Sequence, residues 1–146
     1  MRIYLDLCTI QRPADDASQL RVYLEAQAVH GIVALIEAGT LRLVSSSALL
    51  IEHARNPHVL RRDVTERVLS LATEFVPIES AVEIRATQYQ KLGLKPMDAA
   101  HLACAVEAGV DFFCTCDDRL LRRARALDTG LTRPITPLEL IQEVER

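Results

Sequence analysis

The chain has 146 residues, 49% hydrophobic and 25% charged, with four cysteines, which excludes both a disordered tail and a small disulfide-stapled scaffold. No apolar run reaches the roughly 18 residues a bilayer span needs, and the opening Met1-Arg2-Ile3-Tyr4-Leu5-Asp6 lacks the marks of a secretory leader, so a cytoplasmic protein without membrane contact is expected. A formal charge of −3 gives no global attraction to a polyanion, so any nucleic-acid contact has to be local.

Ile3-Tyr4-Leu5 reads as a short buried strand ending at Asp6, and Gln11-Arg12-Pro13 breaks the chain before a first helix over about 18 to 38. That helix keeps an i, i+3, i+4 apolar rhythm through Leu24, Ala28, Ile32 and Leu35, and Gly39 stops it. Leu41 to Ser45 alternates as a second strand. Ser46 and Ser47 can cap a short helix carrying Glu52, which Asn56-Pro57 ends, and a helix over about 59 to 73 follows. Phe75-Val76-Pro77-Ile78 is a third strand, placed at an edge by its proline, and Ser80-x-x-Glu83 has the form of a capping box for the next helix, closed by Gly93. Pro96 suits the first turn of a helix to about 108, and residues 110 to 115 form a fourth strand. A basic helix over about 118 to 127, a fifth strand around 131 to 135 and a final helix from the Thr136-Pro137-Leu138-Glu139 capping box complete the chain.

Strands alternating with helices imply an α/β fold, a mainly parallel sheet of four or five strands covered on both faces, in one domain over residues 1–146. Sites in such sheets lie at the C-terminal edge of the strands. Asp6 ends the first strand, Asp117 follows the fourth, and Asp98 opens the helix that leads back to the fourth, so all three share that edge. Glu52, in the helix after the second strand, reaches toward it. Each acid has a plain structural role available: turn residue, helix cap, dipole partner or solvated face. Gathered on one rim they would repel, unless a cation or shared protons relieved them. An oxygen-only donor set selects Mg²⁺ or Mn²⁺ over zinc, and phosphoryl transfer is its natural chemistry.

Basic residues are overwhelmingly arginine, with Lys91 and Lys95 the two exceptions. They concentrate at Arg55, Arg61, Arg62 and Arg67, and again at Arg119, Arg122, Arg123 and Arg125. The cysteines Cys8, Cys104, Cys114 and Cys116 read as free thiols, with Cys114-Thr115-Cys116 as small buried residues on a strand, because that pair is one residue short of CxxC spacing.

Ile3-Tyr4-Leu5-Asp6, the Ser46-to-Glu52 helix, Lys95-Pro96-Met97-Asp98-Ala99-Ala100-His101-Leu102-Ala103 and Phe113-Cys114-Thr115-Cys116-Asp117 together resemble the PIN domain family, which includes VapC-like toxin ribonucleases. The resemblance covers nearly the whole chain and selects Asp117 over Asp118. It implies a three-layer α/β/α sandwich in which Asp6, Glu52, Asp98 and Asp117 bind Mg²⁺ or Mn²⁺ while water attacks an RNA phosphodiester, leaving a 5′-phosphate and a 3′-hydroxyl. It also implies an antitoxin partner, able to block the acids with an inserted arginine, and a homodimer built on apolar residues of the first helices. Thr115, Arg119, Arg122 and Arg123 are the candidate substrate contacts. His101, one turn past Asp98, is read as a packed residue outside the catalytic set. Where many members have Asp-Thr-Asn or Asp-Thr-Ser, this chain has Asp6-Leu7-Cys8-Thr9, which displaces a polar support from the first acid. That departure motivates the competing reading of an inactive PIN fold used for protein binding. A phospho-accepting receiver domain fits poorly, since no lysine follows Lys95.

Overall fold

The computed structural model describes residues 1–146. Its strands are β1 (Arg2–Leu5), β2 (Arg42–Ser46), β3 (Glu74–Val76), β4 (Phe112–Cys114) and β5 (Arg133–Ile135). All pair in parallel in the order β3-β2-β1-β4-β5. The helices are α1 (Leu7–Gln11), α2 (Leu20–Glu37), α3 (Ser47–Ala54), α4 (Val59–Leu69), α5 (Ser80–Lys91), α6 (Pro96–Ala108), α7 (Asp118–Arg125) and α8 (Pro137–Val144). The result is the expected three-layer α/β arrangement with five strands.

Central strands must be apolar on both faces when helices cover the sheet on both sides. Ile3, Tyr4, Leu5 and Phe113 are accordingly fully buried, and they belong to a cluster of 30 buried residues. Tyr4 stacks on Phe113 with ring centroids 5.7 Å apart. Edge positions go to β3, followed at once by Pro77, and to β5, which contains Pro134; both prolines sit where a missing N–H is tolerated.

Several local expectations need correction. Before the expected break at Gln11-Arg12-Pro13 the structure adds a short helix α1, capped by Asp6, and a 3₁₀ turn over Arg12–Ala14 then redirects the chain toward α2. The helix expected over 59 to 73 ends at Leu69, because the Thr73 amide already donates to the Leu43 carbonyl as the chain enters β3. The Ser80 capping box does not form. Glu79 holds the cap position with extended backbone and no side-chain cap bond, which makes Ser80 the first helical residue. At Thr136 the box does form: the Glu139 amide donates to Thr136 Oγ1 at 3.1 Å and the Thr136 amide to Glu139 Oε1 at 3.0 Å. Of the cysteines only Cys114 is a buried strand residue; Cys104 is buried in α6, Cys116 is buried beyond β4, and Cys8 is exposed in α1.

Candidate active site

Register builds the site. Leu5 pairs with Cys114 across the β1–β4 ladder, so the residues that leave these strands, Asp6 and Thr115, emerge side by side. The Asp6 amide donates to the Cys114 carbonyl at 3.2 Å, and Thr115 Oγ1 donates to Asp6 Oδ2 at 2.6 Å. The same hydroxyl accepts from the Asp117 amide at 3.0 Å, so one threonine positions two of the four acids.

Asp6 is 4% exposed. Thr9 donates to its Oδ1 twice, from the amide at 3.1 Å and the hydroxyl at 2.7 Å, and the Cys8 thiol lies 3.2 and 3.3 Å from its two oxygens. Burial pushes the Asp6 pKa up, and the Thr115 and Thr9 bonds work against that rise. Thr9 therefore supplies the polar support that Leu7 does not, two residues further on, and the Cys8 thiol adds to it.

Asp117 caps α7, accepting at Oδ1 from the Arg119 and Leu120 amides at 2.9 and 3.1 Å. Asp98 is half-buried in the first turn of α6. Its pKa is raised, first by burial and then by the charges of Asp6, Asp117 and Glu52, with His101 opposing. Topology has thus brought all four acids into electrostatic contact, and no ion pair of the structure involves Asp6, Asp98 or Asp117.

Glu52 is held through His101. A carboxylate can only accept, so His101 Nε2–H donates to Glu52 Oε1 at 3.0 Å. In the neutral ring Nδ1 then accepts from the Tyr4 hydroxyl at 2.7 Å, which leaves Tyr4 Oη to accept from Ser46 Oγ at 2.6 Å. Ser46 closes the loop by capping α3, the helix that carries Glu52, accepting from the Leu49 amide at 3.2 Å. His101 is 1% exposed, so it is a buried connector between α6, β1 and α3.

Two clefts flank the acids. One is lined by Lys95, Asp98, Asp117, Arg119 and Arg123, the other by Cys8, Gln11, Glu52, Arg55, Arg61 and Met97. Arg123 Nη1 donates to the Gly93 carbonyl, and Gly93 has φ +110°, where a Cβ would lie 3.0 Å from that nitrogen and press on the Arg123 guanidinium. The expected substrate contacts therefore divide. Arg119 and Arg123 face the first cleft, whereas Arg122 lines neither. Thr115 is 1% exposed with its hydroxyl already engaged, so it supports the carboxylates from beneath and cannot meet a substrate.

The donor set suits a hard divalent cation, being entirely carboxylate oxygen and carrying mutual repulsion that a cation relieves. As placed, no three Asp, Glu, His or Cys side chains stand close enough to enclose an ion, so the carboxylates would have to draw together around one. Sequence reasoning missed Thr9, Lys95 and the connecting role of His101. The signal for Thr9 was its position three residues after a strand-end aspartate, the spacing of a helix cap.

A family model of the PIN domain matches residues 12–126, which takes in Glu52, Asp98 and Asp117. The chain belongs to the PIN domain family. It is 32% identical over 142 residues to Ribonuclease VapC46 of Mycobacterium tuberculosis, covering 90% of this chain and 97% of that protein. Solved PIN-like folds superpose on most of it. FitAcB from Neisseria gonorrhoeae gives a TM-score of 0.60 at 18% identity over 93% of this chain and 98% of that one. VapBC2 from Rickettsia felis, bound to a DNA fragment from its promoter, gives 0.57 at 11% identity over 92% and 99%. PAE2754 from Pyrobaculum aerophilum gives 0.54 at 15% identity over 99% and 98%. No helix of this PIN domain is long and apolar enough to cross a membrane.

Proposed function

We infer that this PIN domain is a cytoplasmic Mg²⁺- or Mn²⁺-dependent endoribonuclease, the toxin of a toxin–antitoxin pair. The observation that carries the reading is the placement of Asp6, Asp98 and Asp117 at one edge of the sheet with no arginine or lysine side chain paired to any of them. Asp6, Glu52, Asp98 and Asp117 would hold the metal. Bound there, a divalent ion supplies Lewis acidity toward a phosphodiester and neutralises charge on it.

The protein's own groups do the rest. Thr115 and Thr9 keep Asp6 oriented and favour its carboxylate form against the rise that burial imposes. His101 fixes the Glu52 carboxylate, and Lys95 with Arg119 offers phosphate-binding cations beside Asp98 and Asp117. Support from Thr9 favours an active site over the alternative of an inactive binding module. Similarity to Ribonuclease VapC46 and to the VapBC2 complex supports the toxin reading and an antitoxin partner. A homodimer is part of the same reading, with Leu20, Tyr23 and Leu24 exposed on α2 as its apolar surface.

The test is cleavage of a long single-stranded RNA across Mg²⁺ and Mn²⁺ concentrations, with Asp98→Asn protein prepared in parallel. Metal-dependent cleavage by the wild type alone is expected. Equal cleavage by the variant would refute the site.

A further inference from the structure

Resting on the ribonuclease reading, one arginine from each of the two clusters acquires a role. The chain has 15 arginines. Eight sit in ion pairs with carboxylates, and the guanidinium groups of Arg62 and Arg123 are given to backbone carbonyls. Among those left uncommitted, Arg55 and Arg119 line the clefts beside the acids, one on each side. Both are exposed. Arg55 stands at the end of α3, three residues past Glu52, and shares its cleft. Arg61 in the same cleft is paired with Asp15 at 2.8 Å, so its charge is already answered. Arg119 shares the opposite cleft with Lys95, Asp98 and Asp117.

Consecutive residues divide the two clefts: Met97 lines one and Asp98 the other, so the ridge between them is the first turn of α6. A helix N-terminus favours an anion crossing it. The acid rim alone repels a polyanion, and the net charge offers no compensation at a distance, so attraction must come from cations close on either side.

We propose that single-stranded RNA crosses the first turn of α6 from one cleft to the other, with Arg119 and Lys95 holding a phosphate on one side of the cleavage point and Arg55 a phosphate on the other. The site then grips an internal stretch of chain and needs nucleotides on both sides of the bond it cuts.

The experiment measures binding of the wild-type protein to a fluorescein-labelled single-stranded oligoribonucleotide in EDTA, by anisotropy across a salt series, so that affinity is read without turnover. Each single-strand phosphate contact contributes about 0.7 to the slope of log affinity against log salt. Arg55→Ala and Arg119→Ala are each expected to lower the slope by about that amount, and Arg122→Ala, outside both clefts, to leave it unchanged. In cleavage assays, a substrate trimmed to a single nucleotide on one side of the cut should be cut more slowly and lose its sensitivity to one of the two arginines. An Arg55→Ala slope equal to that of Arg122→Ala overturns the track while leaving the ribonuclease reading intact. Salt-dependent binding with the expected slopes but no metal-dependent cleavage would do the reverse. Absence of RNA binding by the wild type in EDTA would overturn the track, while the ribonuclease reading stands or falls on metal-dependent cleavage.

Discussion

Replacing Thr115 with valine removes one hydroxyl and keeps the side-chain volume, so it isolates the hydrogen bonds that hold two acids in place. The donor bond to Asp6 is buried and charge-assisted, worth about 1.5–3 kcal/mol, and the bond accepted from the Asp117 amide adds about 0.5–1.5 kcal/mol. At an unfolding entropy of roughly 2 cal/mol/K per residue, a loss of about 3 kcal/mol lowers the Tm of this chain by about 10 °C. The deficit should depend on pH. Burial raises the Asp6 pKa in the folded state, so the stability contributed by this group is full below its unfolded pKa and is lost as pH rises through the folded one. Thr115 limits that loss by favouring the carboxylate. Without it the folded pKa climbs further, so the gap between variant and wild type is widest at neutral pH and narrows as acidification protonates Asp6. Thermal unfolding followed by circular dichroism in EDTA over a pH series measures this, with Thr115→Ser as the hydroxyl-retaining control. A deficit that stays constant with pH, or a Tm unchanged at neutral pH, would refute the assignment of the hydroxyl to a charged Asp6.

Other consequences are as direct. Gly93→Ala places a Cβ against Arg123 at a positive φ and should cost about 1–3 kcal/mol in urea unfolding; a change under about 0.5 kcal/mol would mean the loop yields freely. Thr136→Ala should cost about 1 kcal/mol and Ser80→Ala nothing measurable, because only the first caps its helix; equal losses would contradict the observed caps. His101→Gln keeps an amide donor near the Nε2 position and should retain Mn²⁺ affinity by calorimetry, whereas His101→Asn reaches only the Nδ1 side and should weaken it about tenfold or more. Matching affinities for the two variants would show that His101 does not act through Glu52.

What the sequence made legible and what it hid follow from the range of the interactions involved. Asp6, Asp98 and Asp117 were readable because each stands at a strand end or helix start, and parallel topology alone decides which ends share an edge. The Thr136 box was readable because its two bonds span three residues of one chain segment. Ser80 offered the same letters and failed, since a capping box needs its first residue in extended backbone and the helix begins one position early, with Glu79 in that conformation.

Contacts between distant segments left no comparable trace. His101 joins Glu52 across 49 positions and Tyr4 across 97, and a lone histidine on an alanine-rich helix carries no mark of either. Thr115 was visible as a polar residue near the acids, yet only the β1–β4 register turns its hydroxyl under Asp6 and away from a substrate. The arginines make the same point from the opposite direction. Composition counts them as equal cations, but ion pairing consumes Arg61 and Arg21 while sparing Arg55 and Arg119. Which positive charges remain available to a phosphate is therefore a property of the folded pairing pattern, which no count of arginines along the chain contains.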